Sequence, residues 1–101
     1  MAVGRVGRAE RFDSRKARVA AVFGTNERVL RQVYGIFELL EMAWHDCYSE
    51  ISPPEDVVDD VLLCSEGTIE GLVEAAHLAV IDWRDIKLAA AELRSTASGQ
   101  G

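Results

Sequence analysis

Residues 26–51 read NERVLRQVYGIFELLEMAWHDCYSEI, and their spacing decides the fold. Leu30, Val33, Phe37, Leu40, Trp44, Cys47 and Ile51 recur at intervals of 3, 4, 3, 4, 3 and 4 residues. Side chains so spaced share one side of an α-helix, and the heptad they form is a packing seam. Val29, Tyr34, Ile36, Leu39, Met42, Ala43 and Tyr48 widen the seam over most of the circumference. A helix that apolar is central in a bundle or belongs to a subunit interface. Thr25 or Asn26 suits its N-cap, and Glu27 complements the helix dipole in the first turn. Gly35 is its weak spot, costing about 1 kcal/mol relative to Ala. The expected helix spans 26–51, with Cys47 buried on the seam.

A second seam comes later in the chain. Ile69, Leu72, Ala76, Ala79, Trp83, Ile86, Ala90 and Leu93 repeat the 3, 4 alternation. The pattern predicts one continuous helix over 68–94, capped by Thr68. Two matching seams, each with one Trp among smaller residues, should pack together at a shallow angle. Ala76, Ala79 and Ala90 leave room for Trp44 and Phe37. The sequence leaves open whether the two helices run parallel or antiparallel.

Between them, Ser52-Pro53-Pro54-Glu55 reads as a capping box, with Ser52 at the N-cap and Pro53 at the first helical position. A short helix is expected over 53–66. Val57, Val58, Val61 and Leu62 form its inner side, with Cys64 beside them. Glu55, Asp56, Asp59 and Asp60 form its outer side, and Gly67 its C′ residue. Ahead of both seams, a helix is expected over 9–23, with Phe12, Val19 and Phe23 on its apolar side and Gly24 after its end. Strand signals are nearly absent. The fold class is all-α, a small bundle of four helices (9–23, 26–51, 53–66 and 68–94).

The chain has 101 residues, 49% apolar and 28% charged, which suits one globular domain. Residues 1–8 read as a flexible N-terminus, 9–94 as the domain and 95–101 (STASGQG) as a disordered tail. No apolar region succeeds the early arginines, so no secretory signal is expected. The most apolar stretch, 29–51, is broken by Arg31, Glu38, Glu41, His45 and Asp46, so no membrane span is expected either. The expected location is cytoplasmic, with Cys47 and Cys64 as thiols. Arg outnumbers Lys nine to two, which reads as genome composition.

Charge is uneven. Residues 1–31 carry eight Lys or Arg and three Asp or Glu; residues 32–101 carry three and fourteen. Arg8, Arg11, Arg15 and Arg18 are spaced 3, 4 and 3, which sets them on one stripe of the first helix. Such a ridge can track phosphates through counterion release. The overall charge of −6 opposes that, because the acidic body would repel a nucleic acid. Docking on the protein's own carboxylates, or on a second subunit's, is the favoured reading, and the acidic run at 55–60 is a suitable landing surface.

Other chemistry is weakly signalled. Glu41 with His45, and Glu74 with His77, each put a carboxylate and an imidazole one turn apart, as bundle metal sites do. A di-metal site needs two E-x-x-H motifs and two more Glu, and only Glu74–His77 has that form. Both His are read as structural. His45 and Cys47 do not face one another, so no nucleophile is assigned. Trp44 and Trp83 with their neighbours read as core anchors rather than a ligand pocket, with Arg84 in reach of Glu38 or Glu41. The run at 55–60 lacks the spacing and central Gly of a calcium loop. No phosphate-binding glycine loop or HExxH is present. The expectation is an interaction or regulatory protein without catalysis or cofactor, forming a homodimer or meeting a protein partner, with the basic first helix as the docking element.

Overall fold

The computed structural model describes residues 7–99; of the loose ends expected at 1–8 and 95–101, residues 1–6 and 100–101 lie outside that range, while Arg8 and residues 95–99 are helical. The described residues are all-helical. They form five successive helices: α1 (Arg8–Phe23), α2 (Glu27–Tyr48), α3 (Glu55–Ser65), α4 (Ile69–Ile81) and α5 (Trp83–Gly99). None of them is long and apolar enough to cross a membrane.

The local chemistry explains the ends. Asn26, with extended backbone, accepts from the amides of Arg28 and Val29 and starts α2. Thr68 accepts from the Gly71 amide and starts α4. After α3, Glu66 and Gly67 both take positive φ, of 52° and 78°. At Gly67 a side chain would also crowd the Val22 carbonyl, 3.2 Å from an added Cβ. Gly71 is tighter still: its Cβ would overlap the Ser65 carbonyl oxygen.

Three expectations about the elements are corrected. The helix expected over 68–94 is two helices, broken at Asp82, whose backbone is extended at φ −157°, ψ 105°. Asp82 accepts from the Arg84 amide, so it serves as the cap of α5. The seam carries on across the break, and this hid the cap that Asp82 provides. α5 then runs to Gly99, past the expected end at 94. Second, α3 begins at Glu55 with Pro54 ahead of it and no side-chain cap. Ser52 instead donates to Glu41 and accepts from Arg15. Third, Asp60 belongs inside: it is 3% exposed.

α3 is the hub rather than an outer strut, packing on α1, α4 and α5. Its Val57, Val58, Val61 and Leu62 join Val33, Phe37, Leu40 and Trp44 of α2, Leu72, Ala75, Ala76 and Ala79 of α4, and Ile86 of α5 in one core. The two seam helices do pack together, α2 on α4. They run parallel: the Tyr48 hydroxyl at the end of α2 donates to the Val80 carbonyl near the end of α4, at 2.8 Å. At the opposite end Gly67, before α4, lies against Val22, before α2.

The seams are not buried along their whole length. Leu30 is half-buried, Ile51 exposed, and Cys47, expected to be buried, is exposed. A straight helix drifts about 20° per heptad against a 3.5 repeat, so the last inward residue of α2 is Tyr48. Trp83 is 39% exposed, because the break at Asp82 shifts the phase of α5 relative to α4.

Candidate functional site

α1 is joined to α2 and α3 by its arginines. Arg15 lies on the apolar side of α1, three residues after Phe12 and four before Val19. It is 1% exposed. Its guanidinium donates to Glu41 at 3.3 Å, to Ser52 at 3.0 Å and to both oxygens of Glu55, at 3.3 and 2.8 Å. The rings of Phe12 and Phe37 flank it, with centroids 5.5 and 6.0 Å away. Arg11 grips Glu41 through two hydrogen bonds, of 2.8 and 2.9 Å, the forked geometry that suits a carboxylate. Arg18 bridges Glu55 and Asp59.

The carboxylates answer to these partners. Burial opposes ionisation of Glu41, but hydrogen bonds from Arg11 and Ser52 and the charges of Arg11 and Arg15 outweigh it, and its pKa lies below the ordinary value. Glu55 behaves alike: burial opposes its charge, while Arg15 and Arg18 lower its pKa. The Arg11 pKa is raised, first by its hydrogen bonds to Glu41. Three of the four stripe residues, Arg11, Arg15 and Arg18, therefore face carboxylates of their own chain. The side chain of Arg8 lies outside the described residues. The landing surface is Glu41 together with Glu55 and Asp59 of the acidic run.

A second ionic cluster ties α5 to α3. Asp60 contacts Arg94 at 2.8 Å and Lys87 at 3.4 Å. Lys87 also pairs with Asp56, which lowers the Asp56 pKa and raises its own. Burial, then the charge of Asp60, raises the pKa of the Cys64 thiol, which leaves it a poor nucleophile.

The Glu–His pairs do not converge. Glu41 is engaged by Arg11, Arg15 and Ser52, while His45 is exposed one turn on, 3.9 Å from Asp46. Glu74 and His77 are exposed on α4. Among the described residues no three His, Cys, Asp or Glu side chains come together to hold a metal ion. Arg84 pairs with Asp82 of its own cap, not with Glu38 or Glu41.

Two clefts among the described residues bear on binding. A cleft of about 580 Å3 is lined by Trp44, Tyr48, Trp83, Glu50, Asp56 and Lys87. Three of its polar side chains already have partners: the Trp44 indole donates to Glu50, the Tyr48 hydroxyl to α4 carbonyls, and Lys87 to Asp56. The other is a groove of about 240 Å3 between α2 and α4, walled by Ile36, Leu39, Ala43, Val73, His77 and Val80. Of its lining residues, Leu39 at 65% and Val73 at 50% are large, apolar and exposed, while the exposed Met42 of α2 borders a separate cleft with Glu38 and His45. The breadth of apolar residues on α2 pointed to such a face, but not to which part of it stays open. No family model, curated protein or solved structure matches the chain.

Proposed function

We propose that the protein is a small helical interaction module, regulatory rather than catalytic, which meets another polypeptide through the α2–α4 face. The observation that carries this reading is the apolar lining of the α2–α4 groove, in which Leu39 and Val73 are large and exposed. Contiguous apolar surface rimmed by polar residues is how protein-binding faces are built. The expected docking element moves accordingly, from the basic face of α1 to α2 and α4. Arg11, Arg15 and Arg18 already serve the protein's own carboxylates, which also weakens the case for a phosphate ridge.

The test is a photo-crosslinking residue at Met42 or Val73, with Lys16 on α1 as the control, in cells expressing the full chain. Discrete protein adducts from 42 and 73, and none from 16, support the reading. Adducts from 16 alone, or none from any position, refute it.

A further inference from the structure

We infer that the occupant of the α2–α4 face is a second copy of this chain, with the two α2 helices antiparallel and in one defined register. This rests on the reading of that face as protein-binding and goes further by naming the partner and its orientation.

The outward side of α2 carries a stripe separate from the buried seam. Arg28, Gln32, Gly35, Leu39, Met42 and Asp46 recur at 4, 3, 4, 3 and 4 residues, and all six are exposed. The stripe is apolar and small at its centre, cationic at its first position and anionic at its last. Reversing it about the level of Phe37 returns the same six positions. An antiparallel copy therefore sets Arg28 opposite Asp46, Gln32 opposite Met42 and Gly35 opposite Leu39, each pair twice. A two-fold interface must be self-complementary in this way.

Gly35 then has a role. Nothing lies within 4 Å of where its Cβ would be, so the gap is open to a side chain from outside. The Leu39 side chain of a facing copy fits it, as a knob enters a hole where a small residue lets helices approach. Parallel pairing would set Arg28 against Arg28 and Asp46 against Asp46, with the Gly35 gap facing its own copy. Charge and shape both select the antiparallel arrangement.

The size of the face sets the strength. α2 and α4 are about 33 and 20 Å long, and with helices about 8–10 Å apart the face offers about 500 Å2 per copy. A total of about 1,000 Å2 lies at the lower end of specific interfaces, which points to a micromolar dimer.

The experiment is sedimentation equilibrium on the full chain and two variants, Arg28→Asp and Asp46→Arg. Both positions are exposed, and circular dichroism verifies their folding. The wild type should weigh twice 11.1 kDa at high concentration. Each variant alone places like charges opposite one another twice, which should weaken association about tenfold. An equimolar mixture of the two restores both attractions, so it should associate like the wild type, as a heterodimer by native mass spectrometry. A wild type that stays at 11.1 kDa at several hundred micromolar, or a mixture no tighter than its components, overturns the inference. The crosslinked adducts keep the two readings apart. Adducts of twice the chain mass support both, and adducts to a different protein leave the interaction reading standing while removing the second copy. The absence of any adduct removes both.

Discussion

Replacing Arg15 by Ala removes a cation that touches α2, α3 and the core at once. The guanidinium is 1% exposed, and so is almost fully desolvated. Breaking a buried ion pair by removing one partner costs about 3–5 kcal/mol, because the other charge is left uncompensated. Here the penalty is softened: Glu41 keeps Arg11 and Ser52, and the half-exposed Glu55 keeps Arg18. The lost packing against Phe12 and Phe37 adds to it. The expected cost is about 3 kcal/mol, a large share of the roughly 5–15 kcal/mol that holds a domain of this size together. Arg15→Met, which restores most of the volume, should recover part of it. The assay is urea unfolding at pH 7 monitored by circular dichroism. A loss below about 0.5 kcal/mol, the size expected of an exposed arginine, would refute the claim that α1 is held by its buried charge.

The same geometry sets other outcomes. Glu41 and Glu55 have folded-state pKa values below their unfolded ones, so their contribution is present above about pH 4.3, the ordinary glutamate value, and is lost as pH falls through the folded values. Acid titration of the melting temperature should show this loss, and the gap between wild type and Arg15→Ala should narrow with it; a gap that widens in acid contradicts the assignment. Gly71→Ala forces a Cβ against the Ser65 carbonyl and should cost about 2 kcal/mol or more, whereas an unchanged urea midpoint would show that the α3–α4 turn gives way easily. Asp60→Ala leaves Arg94 and Lys87 without their shared buried partner and should lower amide protection across α5 more than elsewhere, by about 1–2 kcal/mol; uniform loss or none would count against α5 being tethered there.

Much of the fold could be read from local chemistry. Asn26, Thr68, Gly24 and Gly67 mark helix ends because their short side chains, or their tolerance of positive φ, act within a few residues. The break at Asp82 is masked in the sequence, since the heptad spacing runs across it unchanged. Arg15 and Asp60 were harder, because a hydrophobic pattern assigns every charge to the outside. The signal for Arg15 was its phase, midway between Phe12 and Val19 on the apolar side of α1. Asp60 falls three residues after Val57 and four before Cys64, at the border of the buried side of α3. Its partners, Lys87 and Arg94, lie far along the chain, so no local pattern could pair them. The same holds for the open face: breadth of apolar residues on α2 is legible, but which part stays uncovered depends on where α3 and α4 pack.

The most direct test of where this protein works is an amide NMR titration of the chain against its own concentration. Concentration-dependent shifts should be confined to the outward side of α2, from Arg28 to Asp46, and to the neighbouring side of α4 around Val73 and His77, with α1 unmoved. Shifts centred on Arg11, Arg15 and Arg18, or none at millimolar concentration, would contradict the seating of a second copy on the α2–α4 face.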